Sequence, residues 1–95
     1  MKAIFNGKVI AESDKTIVVE GNHYFPPDAV AANVLRSSDT NTVCSWKGTA
    51  AYHSVEVDGK LAKDAAWYYP KPLDKAAKLG ISGYLAFWNG VEITA

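Results

Sequence analysis

Gly48-Thr49-Ala50-Ala51-Tyr52-His53-Ser54-Val55-Glu56-Val57-Asp58-Gly59-Lys60-Leu61-Ala62-Lys63-Asp64-Ala65-Ala66-Trp67-Tyr68-Tyr69 is the stretch that decides the fold. Asp58-Gly59 lies between two alternating runs. Asp and Gly tolerate the positive φ of a type I′ turn, so the pair predicts a tight β-hairpin. The hairpin spans residues 43–57 and 60–69, and a two-residue loop sets Val57 opposite Lys60. Alternation then assigns the faces. One face carries Ala51, His53, Val55 and Val57 with Lys60, Ala62, Asp64 and Ala66. The other carries Gly48, Ala50, Tyr52, Ser54 and Glu56 with Leu61, Lys63, Ala65, Trp67 and Tyr69. Without a bulge, Ala50 falls opposite Trp67, Gly48 opposite Tyr69, and His53 opposite Asp64. Small residues facing large rings suit close packing across strands.

The same turn chemistry recurs outward. Asn6-Gly7 and Asn89-Gly90 predict hairpins over residues 2–5 with 8–12 and over 83–88 with 91–94. Thr16 to Glu20 is a β-branched strand ending at Gly21-Asn22. His23-Tyr24-Phe25 is a short strand stopped by Pro26-Pro27. Pro27-Asp28 opens a short helix over about residues 27–33. Ser37 to Asn41 reads as a polar loop. A second short helix runs from Asp74 to Leu79 and closes at Gly80. The expected fold is mainly β: one compact antiparallel domain over residues 1–95, with two short helices in connections.

Composition narrows the function. The 95 residues hold ten basic and ten acidic side chains, a formal net charge of zero. A nucleic-acid binder would show a basic excess, so no nucleic-acid partner is expected. The single cysteine allows no internal disulfide and no thiolate zinc cluster. No signal peptide or membrane-length apolar run is present, which predicts a soluble cytoplasmic protein without a membrane partner. Gly-rich phosphate loops, HExxH and GxSxG are missing, so no cofactor or metal is expected. Aromatic residues, at 12%, are the unusual component.

Chemistry concentrates in Val43-Cys44-Ser45-Trp46-Lys47-Gly48. Alternation puts Cys44 and Trp46 on one face and Lys47 on the other. A bulge or turn at Lys47-Gly48 would bring the amine round, and glycine permits it. A cysteine near a lysine can be a nucleophile, or an inert buried thiol. Glu20 and Tyr24 flank the Gly21-Asn22 turn, and Glu20 can pair with Lys47. A carboxylate and an ammonium among aromatics would make a polar handle for a small ligand. Trp67 and Tyr69 read first as core packing, the usual role of aromatics in small β domains, and alternatively as a stacking wall. The candidate ligand-binding set is Glu20, Tyr24, Cys44, Trp46, Lys47, Tyr52, Trp67 and Tyr69.

Those segments also resemble a family. Gly7 to Ser13, Glu20 with Tyr24-Phe25-Pro26, Cys-x-x-Lys-Gly-x-Ala-x-Tyr at residues 44–52, Ala66-Trp67-Tyr68-Tyr69-Pro70 and Gly83 to Phe87 occur in order along almost the whole chain. Together they resemble domain-of-unknown-function family 427, a small bacterial family also filed under a nucleotidyltransferase-like label. Family members commonly have proline after the cysteine, where this chain has Ser45. The resemblance implies a β-tent, two antiparallel sheets pinned at one end and splayed at the other. Related tents use paired cysteines for structural zinc and aromatics to hold a ligand; this chain lacks the cysteines. The label implies a metal-triphosphate site, yet no Gly-Ser followed by a spaced Asp pair is present.

Three functions follow as expectations. The first is binding of a small molecule in an aromatic-lined cleft between sheets. The second is a homodimeric structural or interaction protein, with hairpin 83–94 adding strands across a two-fold axis. The third is an enzyme with Cys44 as nucleophile and Lys47 or Glu20 assisting.

Overall fold

Four two-residue turns organise the chain, and at each both residues have positive φ: Asn6-Gly7 (50° and 77°), Glu20-Gly21 (53° and 80°), Asp58-Gly59 (50° and 81°) and Asn89-Gly90 (54° and 101°). Left-handed backbone at both positions matches the right-handed twist of flanking strands, which is why such pairs close hairpins. Three of the four fall where Asn-Gly and Asp-Gly predict them. The fourth lies one residue earlier than Gly21-Asn22, so the preceding strand ends at Val19 and Glu20 belongs to the turn.

A computed structural model describes residues 1–95. The strands are β1 (Lys2–Phe5), β2 (Lys8–Glu12), β3 (Ile17–Val19), β4 (Asn22–Tyr24), β5 (Leu35–Cys44), β6 (Gly48–Val57), β7 (Lys60–Tyr68), β8 (Ala86–Phe87) and β9 (Glu92–Thr94), with one short helix α1 (Asp74–Ala77). The expected mainly β, antiparallel fold is what forms. Its strands are shared among three sheets rather than two: β2-β1-β9, β3-β4 and β5-β6-β7-β8. Reciprocal hydrogen bonds between Phe25 and Leu85 (2.7 and 3.0 Å) join β4 to the segment entering β8. No helix is long and apolar enough to cross a membrane.

Several local expectations change. The helix at 27–33 is two 3-10 turns, Pro27–Ala29 and Ala32–Val34. Between them Val30 is extended and bridges Ala11, and Ala31 N–H donates to Ile10 O at 2.8 Å. That sheet contact interrupts the helix. Residues 83–88 and 91–94 do not pair with each other: β8 pairs with β7 and β9 with β1. The Trp88 N–H donates to Ala65 O at 2.9 Å, which ties the first arm to β7.

The segment read as a polar loop, Ser37 to Asn41, lies inside β5. Both neighbours of β6 bulge beside each other. In β7 the register passes from Val55↔Ala62 to His53↔Ala66, so Ser54 faces Lys63, Asp64 and Ala65. In β5 it passes from Ser37↔His53 to Asn41↔Ala51, so Tyr52 faces Ser38, Asp39 and Thr40. Asp64 takes a positive φ of 53° and joins the bulges. Its carboxylate accepts hydrogen bonds from Ser38 Oγ and from Thr40 Oγ1 (2.7 Å for the latter), and its N–H donates to Ser54 Oγ at 3.0 Å. The hydroxyls that make this segment look like a loop hold it in the sheet.

The β7 bulge also corrects the cross-strand partners. Trp67 faces Tyr52, not Ala50, and Gly48 pairs with Cys44 on β5, not with Tyr69. His53 faces Ala66, not Asp64, and its ring stacks on Tyr68 at 5.1 Å and 12°. Outside the bulge the face assignment survives, because the bulge adds two residues and alternation has period two; within it Ala65, expected beside Trp67, packs instead in the core of the other face. One face contributes Val55, Val57, Ala62 and Ala66 to a core with Phe5, Ile10, Phe25 and Phe87. Ala50 and Tyr69 lie on the other side, in a second core with Tyr24, Ala76, Ile81 and Ala86.

Candidate functional site

Lys47 sits at the end of a three-residue connection between β5 and β6, where Cys44 pairs with Gly48. Gly48 has φ of 108°, and Leu73 N–H donates to Lys47 O at 3.0 Å. This turn does what the glycine suggested. It releases the lysine from strand alternation and lays its amine between two rings. Nζ is 5.5 Å from the Trp46 centroid and 5.5 Å from the Tyr69 centroid. The Lys47 side chain is only 8% exposed, and its ion-pair partner is Glu20 from the β3-β4 turn, 55% exposed.

The electrostatics follow from this asymmetry. Burial disfavours the Lys47 ammonium. The Glu20 hydrogen bond, helped by Tyr24 and Tyr69 with their ionisable phenols, outweighs burial and holds the amine's pKa above the ordinary lysine value. Lys47 in turn draws the Glu20 carboxyl below the ordinary range, first by hydrogen bonding and then by charge. Burial raises the Tyr69 pKa despite the nearby ammonium.

A cleft of about 380 Å³ opens above this pair, lined by Asn22, Lys47, Tyr52, Trp67, Tyr69 and Trp88. Tyr52 and Trp67 are direct cross-strand partners. Tyr24 is fully buried behind Trp67: its hydroxyl accepts from Trp67 Nε1 at 3.2 Å, and the rings meet edge to face at 6.2 Å and 88°. Thr42 Oγ1 and Tyr52 OH are 3.0 Å apart. Trp88 Nε1 donates to Asp64 O at 2.7 Å and Asn89 Nδ2 to Lys63 O at 2.7 Å, so the β7 bulge sets the Trp88 wall.

Of the eight candidate residues, Lys47, Tyr52, Trp67 and Tyr69 line the cleft directly. Glu20 joins through Lys47, Tyr24 supports Trp67, and Trp46 lies against the ammonium. Cys44 is partly buried and packs against the second core. Two lining residues, Asn22 and Trp88, lie outside that set. Trp88 carries a signal, an aromatic directly before an Asn-Gly turn; Asn22 carries none.

A second cleft of about 480 Å³ lies against the opposite face of the sheet, where His53 and Tyr68 meet Val30, Leu35 and Leu85. Apart from the His53 imidazole and the Tyr68 hydroxyl, its side chains are apolar.

No curated protein matches the chain. The model of a family described as a domain of unknown function, DUF427, matches residues 1–94, and the chain therefore belongs to that family.

Proposed function

We propose that this chain is a binding protein for a small planar molecule, held in the cleft walled by Tyr52, Trp67, Tyr69 and Trp88. The observation that carries the reading is convergence: four aromatic side chains and a buried, paired ammonium border one open cleft of about 380 Å³. Mostly apolar walls with a few placed polar groups are the usual make-up of a small-molecule site. Trp67 is half-buried, with its N–H committed to Tyr24, and so offers a fixed ring for stacking. A Cys44–Lys47 enzyme is less well supported. An amine acting as base near neutral pH needs a lowered pKa, and Glu20 helps push that of Lys47 the other way.

The test is a tryptophan-fluorescence screen of nucleosides, sugars and amino-acid derivatives. At least one class quenches the emission, and Trp67→Ala abolishes its binding. Absence of quenching by every class, or binding indifferent to Trp67→Ala, rejects the reading.

A further inference from the structure

We infer that the ligand of this cleft carries a carboxylate, which takes the place of Glu20 on the Lys47 ammonium. The inference rests on the binding reading above and specifies its chemistry.

Four aromatic walls alone would suit an organic cation, since ring faces attract positive charge. The lining decides against one: among its six side chains Lys47 is the only charged group. Inside the cleft a cation would meet an ammonium and no carboxylate, because Glu20 lies outside the lining. An anion would find unused capacity there. A lysine ammonium has three donors; Lys47 gives one to Glu20 and has the Tyr69 hydroxyl and the Trp46 and Tyr69 rings as its other close neighbours, which leaves donor capacity for an anion.

Glu20 has the properties of an exchangeable partner. Lys47 is enclosed and must keep a counter-charge, because an unpaired buried ion is costly. Glu20 is mostly in solvent and can return to water when another anion arrives. The exchange conserves the charge of the site. The Glu20 backbone supports this assignment. At the other three turns the first position is Asn6, Asp58 or Asn89, residues that tolerate positive φ. Glu at 53° fits the turn less well than Asp, and what it adds is one methylene of reach towards Lys47. The position already holds a carboxylate, with one lysine to neutralise it. A monoanion matches that count, and a dianionic phosphate exceeds it.

The experiment uses the ¹⁵N-labelled full chain and three probes with the same ring: indole-3-acetate, indole-3-acetamide and tryptamine. Indole N–H resonances of Trp67 and Trp88 report occupancy. The carboxylate should bind about tenfold more tightly than the amide, as a charge-assisted contact allows, with the amine weakest. Glu20→Gln should tighten the carboxylate and leave the amide unchanged. Lys47→Met, which keeps the apolar stem, should make the two equal and carries the test if Glu20→Gln does not fold. Equal binding of all three, or tightest binding of the amine, with Trp67 perturbed, overturns the carboxylate inference and leaves the binding reading standing. If none of the three moves Trp67, the carboxylate inference falls for this ring, while the binding reading stands or falls by the fluorescence screen.

Discussion

Gly48→Ala tests whether the turn that places Lys47 is as demanding as its geometry implies. Gly48 sits at φ of 108°, outside the left-handed helical well that an alanine can occupy. Backbone held in such a region costs about 1–3 kcal/mol for a residue with a side chain. Space adds little to this. A Cβ at Gly48 would lie 3.4 Å from Lys71 O, 3.5 Å from Leu73 N and 3.6 Å from Leu73 Cγ, all ordinary van der Waals contacts. Gly59 supplies the control. Its φ is 81°, and nothing lies within 4 Å of a Cβ there. Gly59→Ala should therefore cost about 1–2 kcal/mol, and Gly48→Ala about 2–3 kcal/mol, because its φ lies farther from the left-handed well.

In a domain of this size each kcal/mol moves Tm by about 4–8 °C, so Gly48→Ala should lower it by about 10–20 °C and Gly59→Ala by roughly half as much. Thermal unfolding followed by far-UV circular dichroism, with urea melts alongside, reads both. Equal losses for the two variants would refute the reasoning. Gly48 would then be an ordinary turn glycine, and the placement of Lys47 would need another cause.

Tyr24→Phe keeps the ring against Trp67 and removes the acceptor of the 3.2 Å hydrogen bond. It should cost about 0.5–1.5 kcal/mol and shift the Trp67 indole N–H resonance; an unchanged melt and an unmoved resonance would show that Tyr24 does not hold the indole. Hydrogen bonds from Ser38 and Thr40 hold the Asp64 carboxyl below the ordinary range. A folded pKa below the unfolded one gives stability that is present above the unfolded value and lost as pH falls through the folded one. Ser38→Ala should raise the Asp64 pKa in a carboxyl ¹³C titration and shrink the acid-side change in stability; an unchanged titration would remove Ser38 as its cause.

The fold was legible where a local rule acts alone. Asn6-Gly7 and Asp58-Gly59 name their hairpins because two residues fix the turn and the turn fixes the register beside it. Legibility ended where a distant partner changes what a residue can do. Ser38 and Thr40 look like loop formers until Asp64, far along the chain, accepts their hydroxyls. Asn89-Gly90 looks like a hairpin until Ala65 accepts the Trp88 N–H. Glu20 reads as the end of a β-branched strand until its positive φ shows it opening the turn. Tyr52, Trp67 and Tyr69 share one face, as alternation predicts, even though the simple hairpin register ends at Ser54. The bulge inserts two residues, and one extra would have turned the aromatic wall to the opposite side.

The exceptions to local rules also locate the site. A fold indifferent to ligand would put a leucine or methionine where Lys47 lies, since burying an ammonium beside apolar rings gains little over good packing. It would put Asn or Asp at Glu20, as the other three turns do. Each exception has a structural cost, and neither explains itself, but each supplies what the other needs: the buried cation needs a carboxylate, and the strained turn holds one within reach. Asp64 is the instructive contrast. It too has positive φ, yet both bulges depend on its hydrogen bonds, so its strain serves the sheet. The Glu20–Lys47 pair joins a solvent-exposed turn to the floor of an aromatic cleft. Conflicts between local preference and observed conformation that converge on one cavity are what the proposed binding role would require.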